Sequence, residues 1–148
     1  MKIYFGADHN GFDMKRELIE KLALAGYSVI DEGDDQLKPE DDFPQFASRV
    51  VAAIKASDDQ DPRGILICGS GQGMCMAANR YKGIRASLVW SLEEAHASRN
   101  DDDSNVLCLP ARYMSVGDAT KIAEAWLVTP FAGAPRFKRR IKELDKLG

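Results

Sequence analysis

The chain has 148 residues, 45% of them hydrophobic and 29% charged, with a formal net charge of −3. These values predict one globular domain over residues 1–148 and exclude general affinity for nucleic acid, since a phosphate backbone attracts basic surfaces. Three cysteines without a Cys-x-x-Cys pair predict neither a disulfide framework nor a metal site. No apolar run is long enough for a membrane span, so we expect a cytoplasmic protein without membrane partners.

Apolar runs alternate with helical patterns along the whole chain. We predict strands over residues 2–7, 27–33, 64–69, 83–90 and 105–110. We predict helices over residues 14–26, 43–56, 72–80, 92–100 and 117–128, and a last, basic helix over 135–147. Strands that are apolar throughout have both faces covered in a parallel sheet. The pattern therefore predicts an α/β fold, a three-layer α/β/α sandwich around about five parallel strands.

Three polar segments are assigned to strand ends, where ligands of such sheets bind. They are "GADHNG" (6–11), "CGSGQG" (68–73) and "RNDDDSN" (99–105). We therefore expect these three segments to lie together at the carboxyl ends of the strands.

The glycine-rich segment 68–73 does not match either common nucleotide loop. Both the dinucleotide fingerprint and the phosphate loop need glycine at position 74, which is Met74, and "GADHNG" is followed by Phe12 instead of lysine. What remains is a group of backbone N–H donors at the start of a helix, beside Cys68. These donors favour the thiolate form of Cys68 and, together with the Ser70 hydroxyl, can stabilise an oxyanion. The alternative is that Cys68 is a buried strand residue above a tight turn.

The other two cysteines have a simpler interpretation. Cys108 lies inside an apolar strand and Cys75 among small helical residues, so both are predicted to be core residues.

Charged residues offer two further candidate contacts. Arg136 and Arg140 are four apart and share a helix face, which suits a phosphate, although a solvated helix end gives the same pattern. His9 follows Asp8 at a strand end, either as an anion contact or acid or as a local hydrogen-bonding residue.

Longer segments carry a family resemblance. The segment "GILICGSGQGMCMAANRYKGIRASL" (64–88) is the strongest match, and "GADHNGF" (6–12), "DDFPQFA" (41–47) and "WLVTPFAG" (126–133) match in order and spacing. On these segments the chain resembles the ribose-5-phosphate isomerase B family, which includes galactose-6-phosphate isomerase subunits. The resemblance covers nearly the whole chain.

The resemblance implies a Rossmann-like fold, no cofactor and no metal, and a homodimer or tetramer whose active sites are shared between subunits. It implies interconversion of ribose 5-phosphate and ribulose 5-phosphate through an enediolate, with Cys68 as general base and Ser70 and the loop amides as oxyanion donors. The substrate-binding positions are then Asp8, His9, Gly69, Gly71, Gln72, Gly73 and Asp102. The phosphate-binding positions are His9, Arg112, Arg136 and Arg140.

The chain departs from the family at four positions. Asp101 replaces the histidine that opens the sugar ring, Asp102 replaces an asparagine, Phe43 a tyrosine, and Phe137 a histidine. A catalytic role for Asp101 as an acid requires it to be protonated near neutral pH.

The departure at Asp101 leaves other substrates open. A tetrose 4-phosphate cannot close a furanose ring, so its isomerase needs no ring-opening residue, and hexose 6-phosphates form a third class. A non-catalytic sugar-phosphate binder, or the inactive partner in a mixed oligomer, is the alternative from outside enzymes.

Overall fold

A computed structural model describes all residues, Met1–Gly148, and contains one sheet and six helices. The strands are β1 (Lys2–Ala7), β2 (Ser28–Asp31), β3 (Arg63–Cys68), β4 (Ala86–Leu88) and β5 (Val106–Pro110). The helices are α1 (Phe12–Leu24), α2 (Phe43–Ala56), α3 (Gln72–Ala78), α4 (Leu92–Asn100), α5 (Val116–Val128) and α6 (Pro135–Leu144). All strand pairs are parallel, in the order β2-β1-β3-β5-β4.

Both faces of the sheet are covered, as predicted. Side chains alternate between the two faces of a strand, and on β3 Ile65 and Ile67 join a core with α1, α4 and α5, whereas Leu66 and Cys68 join a second core with α2 and α3. This alternation between two apolar layers explains why the central strands are apolar throughout. The predicted three-layer, Rossmann-like α/β/α architecture is confirmed.

The prediction of fully covered strands is wrong for β2 and β4, which lie at the two sides of the sheet and are only partly buried. The predicted strand 83–90 is reduced to three residues. Gly83 adopts a left-handed φ of 81°, and the Arg85 N–H donates to the Asn105 side chain instead of a neighbouring strand. The chain therefore enters the sheet only at Ala86.

The outer side of β4 is occupied by an amide side chain. Asn79 Oδ1 accepts the Ala86 N–H at 2.8 Å, and its Nδ2 donates to the Ala86 carbonyl at 2.9 Å. Asn79 thus makes the two bonds that a neighbouring strand would make with this residue.

Several helix ends differ from the predictions. α1 begins at Phe12 and not at residue 14, and α5 begins one residue early because Ser115 Oγ accepts the Asp118 N–H at 3.1 Å and caps the helix. α6 ends at Leu144 and not at residue 147. None of the six helices combines the length and apolar character needed to cross a bilayer.

Candidate active site

The strands end at one edge of the sheet, here called the carboxyl edge, and begin at the opposite edge, the amino edge. Asp8 follows β1 at the carboxyl edge, and its N–H donates to the Ile67 carbonyl at 3.3 Å. Its Oδ1 accepts the backbone N–H groups of Asn10 at 2.9 Å and Gly11 at 3.2 Å. Burial raises the pKa of the Asp8 carboxyl, while these backbone bonds oppose the shift. The carboxyl group is therefore fixed beside the end of β3.

Cys68 is the last residue of β3 and is 5% exposed. In the following turn Gly71 has a left-handed φ of 75°, and the Gln72 N–H donates to Ser70 Oγ at 3.3 Å. The N–H groups of Gly71 and Gly73 have no acceptor within the protein. Because α3 has only seven residues, these amides and the Ser70 hydroxyl, not a long helix dipole, are the donors available to an oxyanion.

Close packing holds the glycine turn against its surroundings. A Cβ on Gly73 would lie 2.7–2.9 Å from atoms of the Phe43 ring, and a Cβ on Gly71 would lie 2.5 Å from Leu88 Cδ1. The ring of Phe43, which replaces the family's tyrosine, therefore packs directly against the turn. Any side chain at these two positions would displace the N–H donors.

Arg112 contributes a positive charge to the carboxyl edge. The backbone N–H of Arg112 donates to the Gly69 carbonyl at 2.9 Å. The backbone N–H of Ala111 donates to the Cys68 carbonyl at 2.9 Å. The guanidinium lies against Gly69, where an added Cβ would be 2.9 Å from Nη2. The side chain is exposed and makes no ion pair within the chain. It is therefore free to bind an anion.

His9 also lies at the carboxyl edge, and it has a partner that the sequence analysis missed. Asp41 Oδ1 is 2.9 Å from both the backbone N and the ring Nδ1 of His9. The hydrogen bond that the His9 ring donates to Asp41 raises the pKa of His9. Asp41 is the first residue of the "DDFPQFA" segment, but nothing in that segment indicates a contact with His9.

Asp8, His9 and Asp41 are the residues with the geometry closest to a metal site. Their ligand atoms lie within 4.8 Å of one another. One oxygen of each carboxylate already accepts two hydrogen bonds, so a cation would compete with bonds that the fold has made.

Four predicted residues lie elsewhere, at the amino edge. The prediction that segment 99–105 follows a strand is wrong. The segment lies between the end of α4 and the start of β5, so Asp101 and Asp102 lie at the amino edge. The segment before α6 joins them there, since the Ala132 N–H donates to the Asn100 carbonyl at 3.1 Å. At the other end of α6, Asp145 lies 3.9 Å from Arg85 Nη1. Three exposed arginines lie between these anchors, and two of them are the predicted Arg136 and Arg140.

The charges at the amino edge are coupled. Burial, followed by the charge of Asp101, raises the pKa of Asp102, and the cations Arg140 and Arg85 oppose the shift. Asp101 accepts a hydrogen bond from Asn100 Nδ2 at 2.8 Å. The raised pKa belongs to Asp102, next to Asp101, which the sequence analysis considered as a catalytic acid.

Within one copy of the chain the predicted residues form two separate groups. The six residues of β3 separate the edges by about 17 Å, at about 3.3 Å per residue. A surface cavity of about 700 Å³ lies at the amino edge between β4 and the C-terminus and does not include Cys68. A second cavity, of about 650 Å³, lies beside Asp41 and does not include Cys68 either.

The other two thiols lie close to one another in the second core. Cys108 is fully buried as predicted, and burial raises its pKa. Cys75 is only half-buried, which corrects its prediction as a core residue, and a hydrogen bond from Cys108 lowers its pKa to about 7. Cys75 is thus a second thiol to be tested as a base.

Comparison with known proteins identifies the family. The sequence model of a family described as ribose/galactose isomerase matches residues 3–144. The chain belongs to the ribose/galactose isomerase family. A probable ribose-5-phosphate isomerase B of Mycoplasma genitalium is 39% identical over 142 residues, which are 96% of this chain and 92% of that protein. The predicted family and its enzyme class, an isomerase, are confirmed.

Solved structures of this isomerase family share the fold. A ribose 5-phosphate isomerase of Thermotoga maritima has a TM-score of 0.93 and 38% identity, with 99% of this chain and 98% of that chain covered. A ribose-5-phosphate isomerase B of Mycoplasma genitalium with bound ribulose-5-phosphate has a TM-score of 0.91 and 38% identity, with 98% and 94% covered.

Proposed function

We propose that the protein interconverts ribose 5-phosphate and ribulose 5-phosphate, with Cys68 as the general base. The observation that carries this proposal is a thiol at the end of a buried strand beside two backbone N–H groups without acceptors. An enediolate intermediate needs this combination of a base for a carbon-bound proton and donors for the developing oxyanion. The family relationship and the ribulose-5-phosphate bound to one relative support the substrate.

The proton transfers follow from this arrangement. The Cys68 thiolate removes the proton from C2 of the open-chain aldose, and the C2–H electron pair forms the C1–C2 double bond while the carbonyl oxygen at C1 becomes negative. Ser70 and the amides of Gly71 and Gly73 stabilise that charge. The thiol then returns its proton to C1, and the O2 proton passes to O1, which gives the ketose without a redox partner.

The complete site needs a second copy of the chain. Arg112 and His9 supply positive groups at the carboxyl edge, whereas Arg136 and Arg140 lie at the amino edge of the same copy. The two edges are about 17 Å apart along β3. Two copies related by a two-fold axis bring the carboxyl edge of one against the amino edge of the other, and do so twice. We therefore propose at least a homodimer with shared sites.

The first experiment measures turnover of ribose 5-phosphate, followed as ribulose 5-phosphate, by the wild type and Cys68→Ala. We expect the variant to lose about a hundred- to ten-thousand-fold in kcat and to keep its affinity for the sugar phosphate. Cys75→Ala is the matched control and should retain activity. Equal activity of the wild type and Cys68→Ala would contradict the assignment of the base, and loss in Cys75→Ala alone would transfer it to the other thiol.

A second candidate function is isomerisation of a tetrose 4-phosphate. The observation that favours it is Asp101, which stands where the family has its ring-opening histidine and which already accepts a bond from Asn100. A substrate that cannot form a furanose ring needs no such histidine. Parallel assays with ribose 5-phosphate, erythrose 4-phosphate and a hexose 6-phosphate separate the candidates. Turnover of the pentose without the tetrose would end this proposal.

Binding without catalysis is the remaining alternative. A sugar-phosphate binder would hold ribose 5-phosphate without converting it, and Cys68→Ala would change neither property. Retention of the Cys68 thiol, the Ser70 hydroxyl and three candidate phosphate-binding arginines favours the enzyme.

A further inference from the structure

The loop between β2 and α2, residues 32–42, returns to the carboxyl edge and is anchored independently of His9. Asp34 accepts from Arg49 at 3.0 Å and pairs with Lys38 at 3.4 Å. The fully buried Lys15 donates to the Asp34 carbonyl at 2.9 Å and to Asp31 at 2.9 Å. The Asp41 N–H in turn donates to the Lys38 carbonyl at 3.2 Å, so the loop up to Asp41 has contacts that do not involve the histidine.

At the end of this loop an almost fully buried carboxylate contacts a partly exposed imidazole. The side chain of Asp41 is 5% exposed and that of His9 is 32% exposed. One oxygen, Oδ1, contacts both the backbone N and the ring Nδ1 of His9 at 2.9 Å. A single carboxylate thus holds both the orientation of the His9 ring and the backbone of His9.

These contacts determine which ring nitrogen remains for a ligand. Oδ1 accepts the backbone N–H, so it is an acceptor towards Nδ1 as well, and Nδ1 carries a hydrogen. Nε2, on the other side of the ring, has no partner within the protein. In the imidazolium form Nε2 is also a donor.

The charges around His9 favour the imidazolium. The hydrogen bond that His9 donates to Asp41 is the largest cause of the raised pKa of His9. Burial opposes this shift, and the charge of Asp8 adds to it. The charged groups facing the ring are Asp8, beside it in the chain, and Asp41, from the loop. Arg112, from the segment after β5, lies against Gly69.

We propose that Asp41 is a positioning residue that fixes His9 with Nε2 as a charged donor for a phosphate monoester. This inference rests on the proposed function and extends it. Asp41 acts through His9 and contacts no substrate atom. Its role predicts a defect in the binding of phosphorylated ligands, while proton transfer at Cys68 is left intact.

The first test is the NMR titration of the two histidine rings, His9 and His96, in the wild type, Asp41→Asn and Asp34→Asn. His9→Gln assigns the His9 signal, and His96 serves as the internal reference. We expect the pKa of His9 to fall in Asp41→Asn and to stay unchanged in Asp34→Asn, which breaks an ion pair of the same loop without touching the ring. An unchanged His9 titration in Asp41→Asn would overturn the proposal.

The second test measures the affinity for inorganic phosphate and the KM for ribose 5-phosphate across pH. Binding through protonated His9 is present below the pKa of His9 and is lost as the pH rises through it, so Asp41→Asn loses binding at a lower pH than the wild type. We expect about tenfold weaker binding in Asp41→Asn at about pH 8, a smaller difference in acid, and an unchanged kcat. A fall in kcat with unchanged KM would contradict the positioning role.

These readouts separate the inference from the proposed function. If ribose 5-phosphate is not converted, the NMR titration and the phosphate affinity still test Asp41. Titration with Zn²⁺ provides the competing outcome, because Asp8, His9 and Asp41 could instead ligate a cation. Stoichiometric Zn²⁺ binding that Asp41→Asn abolishes, together with unchanged phosphate binding, would overturn the proposal.

Discussion

The carboxyl edge and the amino edge of the sheet are organised by different interactions. At the carboxyl edge the backbone dominates: a left-handed glycine, N–H groups without acceptors and an arginine without an ion pair surround Cys68. At the amino edge side-chain ion pairs dominate, since Asp103 pairs with both Arg85 at 3.2 Å and Arg99 at 2.8 Å. One edge therefore offers free donors and a thiol, and the other offers a fixed frame from which α6 presents its arginines.

The residues predicted for the site are thus divided between the two edges of one copy, which is the basis for the proposed sharing of sites between copies. Its sharpest test is mixing of inactive variants. Cys68→Ala damages the carboxyl edge, and the double variant Arg136→Ala/Arg140→Ala damages the amino edge. After co-expression, random pairing in a dimer should restore about a quarter of wild-type activity, because half of the sites in each mixed dimer are intact.

The matched control mixes two variants of the same edge, Cys68→Ala and Ser70→Ala. No mixed site is then intact, and activity should stay at the level of the separate variants. Restoration by the same-edge pair, or no gain from the opposite-edge pair, would show that each copy works alone.

A smaller effect is expected from Asp101→His, which introduces the family's histidine at the amino edge. If ring opening limits turnover of the pentose phosphate, kcat with ribose 5-phosphate should rise by about tenfold, because a positioned acid or base accelerates that step. Turnover of a tetrose 4-phosphate should not change. Asp101→Asn is the control, since it removes the charge without adding an acid or base. An equal rise with both sugars would show that ring opening is not the step affected.

At the carboxyl edge, Gly71→Ala should destabilise the protein by about 1–3 kcal/mol because φ is 75° there. The added Cβ would also lie 2.5 Å from Leu88 Cδ1. Gly117→Ala is the control, because a Cβ in this first turn of α5 meets only Ser115 Oγ at 3.8 Å. That substitution should stabilise slightly, by about 0.5 kcal/mol. Urea unfolding of both variants measures the difference, and equal effects would contradict the packing described for the turn.

The smallest effect is expected from Asp102→Asn at the amino edge. Because burial and Asp101 raise the pKa of Asp102, its ionised form is disfavoured in the folded protein, and stability is lost as the pH rises through that pKa. Asp102→Asn should therefore slightly raise Tm at about pH 7. The difference in Tm should vanish at pH values below the usual pKa range of an aspartate.

Asp34→Asn provides a control of opposite sign, since the Arg49 hydrogen bond lowers the pKa of Asp34. Ionised Asp34 stabilises the folded protein at pH values above the usual pKa range of an aspartate, and this stabilisation is lost as the pH falls. The variant should therefore have a lower Tm near neutral pH. Equal signs for the two variants would contradict the electrostatic assignment.

Local patterns in the sequence were sufficient for most of the fold. The apolar strands, the glycine turn after Cys68 and the helix of residues 92–100 depend on neighbouring residues, and they are found where predicted. The length of β4 was overestimated because its start depends on the bond between Arg85 and Asn105, which are 20 residues apart. The position of Asp101 was predictable but was missed, because a residue that follows a helix and precedes a parallel strand lies at the amino edge.

Long-range contacts explain what the sequence could not supply for the site. Asp41 lies 32 residues from His9, and no periodicity in residues 32–42 indicates that this loop returns to the carboxyl edge. The half-burial of Cys75 likewise depends on how α3 packs on the sheet. The resemblance supplied Cys68 and the arginines as candidate site residues, but not the carboxylate that contacts the histidine.

The amide of Asn79 on β4 also determines how the molecule can aggregate or assemble. An unpaired sheet border is a template for strand addition by another chain, which leads to domain swapping or fibrils. Asn79 already bonds both the N–H and the carbonyl of Ala86, and β4 has only three residues. An incoming strand would have to displace the amide before it could form its first hydrogen bond there. Strand addition by another chain is therefore disfavoured at the start of β4, where the backbone would otherwise accept any extended segment.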